Sequence, residues 1–346
     1  MSVGARIVRS RFRGCMLGSA IGDALGAPVE FIDRETILSR FGLEGVRRFE
    51  QWRNGARITM AAGSVTDDTQ MSLATAAGLL DALEEFRRTR ILDVPAAVWP
   101  RYRAWADQQL LPEARRFPGE TCLSAIRDGI PGSPEEPVNE SKGCGGVMRV
   151  APVGLALAPE RAFEVGVEVA ALTHGHATGY LAAGFLADVV SRLVRGARGE
   201  HEYRSTRGGP VPGAIAETRE VLLGYDDAEE TLDAVDLAVE LYISDADLDE
   251  AYGQLGEGWI AEEALAIGLF SAMNFPEHFD RGVLAAVNIT GDSDSTGAIT
   301  GAILGAALGE ETLPTEWAEE VEGAAAIASL ADRLFDGYVA SEHEQP

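Results

Sequence analysis

Apolar positions in this chain return at intervals of three and four, and the alternation expected of half-buried strands is scarce. Residues with that spacing share one face of a helix, so the pattern predicts an all-α protein. Alanine, leucine and glutamate dominate and reinforce the reading, because all three are good helix formers. Helices are expected at residues 11–27, 69–86, 96–110, 159–173, 177–195, 214–223, 228–243, 258–273, 280–290, 296–308 and 317–335. Segments 112–142 and 196–212 are richer in Pro, Gly and charge and are expected to be loops. Neither shifts composition enough to mark a domain boundary. A single domain over 1–346 is therefore predicted, with its core at about 10–338 and a frayed, disordered tail at 341–346.

Glycine follows a helical period of its own. Gly14, Gly18, Gly22 and Gly26 recur every four residues, as do Gly297, Gly301, Gly305 and Gly309. Each glycine inside a helix costs about 1 kcal/mol relative to alanine, so two such stripes need a compensating reason. Close approach of two helix backbones along the i, i+4 ridge supplies one. The alternative is plain filler in a glycine-rich chain. If the stripes pack, the acidic residues at their ends can meet.

Composition narrows the function. With 346 residues, 46% of them hydrophobic, the chain can bury a large core. A formal charge of −26 repels polyanions, which argues against nonspecific nucleic-acid binding and against an anionic membrane surface. One phosphorylated ligand compensated by metal stays open, as does nucleic acid carrying a modification that serves as substrate. Cys15, Cys122 and Cys144 form no CxxC pair and are odd in number, which predicts a reducing, cytoplasmic setting without disulfides or zinc. Arg6, Arg9, Arg11 and Arg13 ahead of a small apolar run imitate a signal peptide, but Asp23 interrupts that run. Residues 297–308 are too short to cross a bilayer, so no membrane segment is expected, and the protein is expected to be a monomer.

Acidic and hydroxylic residues cluster at helix edges: Asp23 with Glu30; Thr66, Asp67, Asp68 and Thr69; Asp292, Ser293, Asp294, Ser295 and Thr296; and, more weakly, Glu262 with Glu263. Adjacent carboxylates repel unless protons or a cation neutralise them. Asp, Ser and Thr before a helix are also ordinary caps, and each cluster alone fits that role. Several together suggest a ligand set. Oxygen donors with few histidines select hard cations such as Mg2+, Mn2+ or Ca2+, and Asp-x-Asp can serve two ions at once. Residues Ser141, Lys142, Gly143, Cys144, Gly145 and Gly146 offer backbone N–H groups to a diphosphate. His174 and His176 read as caps, core residues or ligand contacts. Cys144 is not expected to be a nucleophile, since no base is placed beside it.

The segments Gly14-Cys-Met-Leu-Gly-Ser-Ala-Ile-Gly-Asp-Ala-Leu-Gly-Ala-Pro-Val-Glu-Phe, Thr66-Asp-Asp-Thr, Gly143-Cys-Gly-Gly-Val-Met-Arg-Val-Ala-Pro-Val-Gly, Leu172-Thr-His-Gly-His-Ala-Thr-Gly-Tyr, Gly258-Trp-Ile-Ala-Glu-Glu-Ala-Leu and Gly291-Asp-Ser-Asp-Ser-Thr-Gly resemble, in order, the ADP-ribosylglycohydrolase family. The resemblance implies an orthogonal bundle of helices with two Mg2+ or Mn2+ ions in a cleft. It implies that Thr66, Asp67 and Asp68 hold one ion and Asp292, Asp294 and Ser295 the other, with Asp67 and Asp294 shared. Glu30 matches a glutamate that touches metal and gates substrate in some relatives, and Glu30 or Asp67 would be the base, with Asp68 beside them. The ligand would be the ADP-ribose moiety of a modified protein or small molecule, held by Ser141, Gly143, Cys144, Gly145, Gly146 and His174. Trp259, Ile260 and Glu262 match a wall around the nucleoside, although Trp259 also fits ordinary core packing. The reaction implied is hydrolysis of the glycosidic bond between ADP-ribose and an arginine, serine or acyl acceptor. A metal-dependent phosphoesterase and a silent ADP-ribose-binding protein are the competing readings.

Overall fold

The computed structural model describes residues 2–54, 58–196 and 209–342. Among them are sixteen α-helices and one two-stranded antiparallel hairpin, so the protein is all-α. The order is α1 (Val3–Gly26), α2 (Arg34–Phe41), β1 (Trp52–Asn54), β2 (Ile58–Met60), α3 (Asp67–Thr89), α4 (Val94–Gln108), α5 (Glu120–Asp128) and α6 (Ala151–Ala156). It continues with α7 (Pro159–Ala171), α8 (Ala177–Arg195), α9 (Pro210–Leu222), α10 (Glu229–Ile243), α11 (Leu248–Leu255) and α12 (Ala261–Asn274). The last four are α13 (Phe279–Val287), α14 (Ser293–Leu308), α15 (Thr315–Glu320) and α16 (Ala324–Glu342).

The two glycine stripes pack on each other, and they place α1 antiparallel to α14. A β-carbon built on Gly14 would stand 2.5 Å from the Gly305 carbonyl oxygen, and one on Gly297 would stand 2.5 Å from that of Gly22. Gly18 faces Gly301 in the same way. In each case the nearest atom is backbone of the facing helix, which cannot rotate aside, so any larger residue must push the helices apart. The second stripe departs from expectation at one end. Gly309 terminates α14 with a φ of 89°, and Ser293 takes the place opposite Gly26. The carboxyl end of α1 is thereby fastened to the amino end of α14, where the acidic residues lie.

Helix α8 has the length and apolarity of a membrane span, yet 83% of its most apolar window is buried among the surrounding helices. Ala182, Phe185, Val189 and Val190 are fully buried, and covering such side chains is worth about 1.5–3 kcal/mol for each large one.

Differences from the expected elements have local causes. Helix α5 lies inside the expected 112–142 loop. It is short and amphipathic, burying Cys122, Leu123, Ala125 and Ile126 and ending at Gly129 with a φ of 80°. Helices α2, α6 and α11 span only six to eight residues, too few for a periodic signal. The expected 317–335 helix breaks into α15 and α16 because Glu322 turns outward. Its N–H donates to the Gly63 carbonyl at 2.9 Å and its Oε2 accepts from the Val65 N–H at 3.2 Å, which pins the loop leading into α3. Most of the expected 196–212 loop lies outside the described residues, and Pro210 already opens α9. Ser341 and Glu342 continue α16, while 343–346 lie outside the described residues.

Candidate functional site

Two helix starts deliver the acids. Helix α3 begins at Asp67, two residues earlier than its apolar pattern indicates, because Thr66 caps it by accepting from the Asp68 N–H at 3.2 Å. Helix α14 begins at Ser293, capped by Asp292, whose Oδ1 accepts from the Ser295 N–H at 3.3 Å. Capping and ligand-set readings therefore coincide. The same residues close the helix ends and leave other oxygens facing inward. A helix amino end favours a nearby anion by about 0.3–1 kcal/mol, whereas taking a carboxylate out of water costs several.

Those oxygens converge. Asp67, Asp68, Asp292, Asp294 and Ser295 line one cavity of about 630 Å³ with Glu30, Cys144 and His174. Carboxylate oxygens of Glu30, Asp292 and Asp294 lie within 4.8 Å of one another. Burial raises Asp294 above the usual carboxylate range, and the hydroxyl of Thr66, fully buried just behind the wall, only partly opposes this. Burial, followed by the charges of Asp294 and Asp292, pushes Glu30 up to about 11. Burial likewise holds Asp67, Asp68 and Asp292 well above the usual carboxylate range. Glu30 Oε2 and Asp68 Oδ2 are buried without any hydrogen-bond partner. Crowded, desolvated and partly unpartnered carboxylates require either protons or a cation, and an all-oxygen set fits a hard divalent ion.

Asp23 behaves differently from the other acids. It is fully buried and accepts from the Thr66 N–H at 3.0 Å, the Thr69 N–H at 3.1 Å and the Thr69 hydroxyl at 2.5 Å. Its carboxylate thus ties α1 to the start of α3, and burial still pushes it up to about 7. The weaker cluster is also structural. Glu262 pairs with Lys142 at 2.5 Å, and Glu263 accepts from the N–H groups of Glu257 and Gly258.

The glycine-rich run is narrower as a cradle than its sequence suggests. Gly143 N–H donates to Ser141 Oγ at 3.3 Å, and Cys144 N–H donates to the Trp259 carbonyl at 3.2 Å. Gly146 is buried against Ala170 and Gly179. Ser141 and Ile260 stand behind the run rather than in the cavity wall, Ile260 bridging to Gly143. The Cys144 thiol donates to Asp292 Oδ2 at 2.9 Å, and burial raises it well above its ordinary value. His176 caps α8 through Thr178, while His174 is buried in the cavity wall.

Sequence reading missed the rim. Phe31 is 67% exposed with a φ of 65°, and Phe117 has a φ of 52°, a left-handed backbone unusual for bulky residues. The Phe31 ring stacks on Trp259 at 4.9 Å, and Phe117 stacks on Trp52 of β1 at 5.3 Å. Trp259 is accordingly part of the cavity wall and not of the core. Gly119 N–H, just beyond Phe117, donates to Asp67 Oδ2 at 3.2 Å. Apart from the Pro-Gly-Glu helix start at residues 118–120, no pattern marks this segment.

Residues 5–344 match the family described as ADP-ribosylglycohydrolase. The chain is 26% identical over 334 residues to ADP-ribosyl-[dinitrogen reductase] glycohydrolase of Rhodospirillum rubrum, covering 91% of each protein. It is 27% identical to ADP-ribosylhydrolase ARH3 of Mus musculus, covering 94% of this chain and 91% of that one. A solved structure titled ADP-ribosylglycohydrolase-related protein complex superposes with a TM-score of 0.71 at 26% identity, covering 96% of this chain and 99% of the other.

Proposed function

Because this chain belongs to the ADP-ribosylglycohydrolase family, we propose that it hydrolyses the glycosidic bond between ADP-ribose and an N- or O-linked acceptor, with two Mg2+ or Mn2+ ions in its acidic cavity. The observation that carries the proposal is the meeting of the two helix starts: acids from residues 67–68 and 292–294, more than two hundred positions apart, line one cavity with Glu30.

Thr66, Asp67 and Asp68 would hold one ion and Asp292, Asp294 and Ser295 the other. When bound, such ions supply positive charge to sugar hydroxyls and to water at this spot. The chain's own groups supply the rest. Glu30 Oε2 has no partner, whereas an Asp67 oxygen is already engaged by Gly119 N–H, so with cations in place of its own proton Glu30 would be the better-placed acceptor of the proton from attacking water. The neighbouring aspartates stabilise positive charge developing at the anomeric carbon. His174 and Gly145 line the wall that would face the ligand's oxygens, and the Phe31–Trp259 stack stands at the rim. The same proposal places the protein in the cytoplasm as a monomer. Its three free thiols, two of them buried, agree with a reducing setting.

Release of ADP-ribose from ADP-ribosyl-arginine, ADP-ribosyl-serine and O-acetyl-ADP-ribose, with Mg2+ and with EDTA, tests the reading. Free ADP-ribose and an intact acceptor in the Mg2+ samples alone are expected. AMP or inorganic phosphate as the product would replace it with a phosphoesterase, and tight ADP-ribose binding without turnover would replace it with a silent binding protein.

A further inference from the structure

Among the described residues, Arg149 heads the fully buried side chains in size. A charge in the core costs several kcal/mol unless it is compensated, yet its polar neighbours are not carboxylates. The guanidinium donates to Thr173 Oγ1 at 2.6 Å and to the Cys122 sulfur at 3.2 Å, and it lies 4.7 Å from the centre of the Tyr102 ring. Hydrophobic packing alone would be better served by methionine or leucine.

Proton accounting gives the arginine a task. Guanidinium nitrogens only donate, so Thr173 Oγ1 is the acceptor in the 2.6 Å bond. The hydroxyl has one proton of its own, and its other partner is His174 Nδ1 at 2.9 Å. The oxygen has a second lone pair and could accept from Nδ1–H as well, but among the described residues its own proton has no acceptor other than Nδ1, so the arrangement that satisfies every group sends that proton to Nδ1 and leaves Nδ1 the unprotonated nitrogen of the ring. A neutral imidazole with Nδ1 accepting carries its proton on Nε2. The Nε2 edge is the one that lies against Gly143 and Gly145, in the cavity wall. Burial, with the Arg149 charge behind it, pushes His174 down to about 3, so the ring stays neutral at every physiological pH.

We propose that Arg149 is a positioning residue that, through Thr173, locks His174 as the Nε2–H tautomer, so that the wall beside Gly145 presents a hydrogen-bond donor to an acceptor oxygen of the ligand. The choice of ADP-ribose as that ligand rests on the function proposed above; the tautomer does not. Without the lock a buried, neutral histidine divides its proton between two nitrogens, and part of the population offers a lone pair that repels an acceptor-only oxygen such as that of a phosphate. Arg149 itself touches no ligand in this scheme.

The test uses the full chain labelled with ¹⁵N-histidine. There are 5 histidines, and loss of one set of ring signals in His174→Gln assigns the residue. In the free wild-type protein, His174 is expected to show a protonated Nε2 and an unprotonated Nδ1. Thr173→Val, which keeps the shape and removes the hydroxyl, should yield averaged or exchanged signals, and Thr173→Ser should restore the wild-type pattern. Titration with ADP-ribose should show Thr173→Val binding about tenfold more weakly, the size of one lost hydrogen bond, and no further loss when Thr173→Val is added to His174→Gln. A proton on Nδ1 in the wild type, unchanged ring signals in Thr173→Val, or an equal loss of affinity in both backgrounds would overturn the proposal. If wild-type protein with the expected tautomer fails to bind ADP-ribose, the ligand reading falls and the tautomer lock stands on the ring signals.

Discussion

Replacing Gly22 with alanine adds one methyl group where α1 crosses α14. That methyl would fall within the van der Waals radii of the Gly297 carbonyl carbon and oxygen and 2.8 Å from the Ala298 nitrogen. Two effects oppose each other. Alanine is the better helix former by about 1 kcal/mol. Overpacking a well-filled contact costs about 1–3 kcal/mol, and the upper end applies because all three nearest atoms are backbone and none can rotate away. The clash wins, with a net loss of about 2 kcal/mol. Gly253→Ala, at an exposed position of α11, is the matched control, since its β-carbon would meet nothing within 4 Å and only the propensity gain of up to about 1 kcal/mol remains. Urea unfolding followed by circular dichroism in EDTA should move the two midpoints in opposite directions. Gly22 also precedes Asp23, which ties α1 to the start of α3, so the displacement should spread to the acidic cavity and shrink the stabilisation conferred by saturating Mg2+. A Gly22→Ala protein that unfolds at or above the wild-type midpoint would refute the claim that backbone contact along the glycine ladder sets the distance between these helices.

Asp67→Asn or Asp294→Asn should abolish ADP-ribose release while leaving the circular dichroism melt cooperative; unchanged rates would remove the metal assignment. Asp68→Asn should raise the melting temperature in EDTA, because it removes a carboxyl whose charged form is opposed first by burial and then by Asp294 and Asp23, and should reduce the rise produced by Mg2+; a fall in EDTA would contradict this reasoning. Stability without metal should depend on pH with a definite sign. Asp23 is raised from 3.8 to about 7 and Glu30 from 4.5 to about 11, so the folded state binds protons more tightly than the unfolded chain. The stability these groups contribute is complete at low pH and is lost as pH climbs through the folded values. In EDTA the melting temperature should fall between about pH 5 and about pH 9, and saturating Mg2+ should flatten the slope by taking the place of the protons. A flat profile in EDTA, or the same slope with and without Mg2+, would count against a cation-binding cluster.

Much of the cavity was legible before any coordinates. The Asp-Asp turn at 67–68 and the Asp-Ser-Asp-Ser turn at 292–295 are local features, and helix caps follow from residue type within a few positions. Helix ends were misplaced there by two or three residues because the apolar period fades in the first turn, where capping decides the boundary. Asp23 shows the opposite limit. In sequence it is one more acid near Glu30, yet hydrogen bonds to Thr66 and Thr69, 43 and 46 positions away, turn it into a tie between helices.

From the sequence alone came the helical class, the two glycine ridges and the oxygen-rich turns, because each depends on a short period or on the chemistry of adjacent residues. Tertiary structure decided that the ridges pack antiparallel and bring the turns together. It also decided that Gly143 and Cys144 spend their N–H groups inside the protein, that Phe31 and Phe117 form a rim, and that Arg149 stands behind His174. These outcomes depend on distances between residues far apart in the chain, and local periodicity carries no information about such distances.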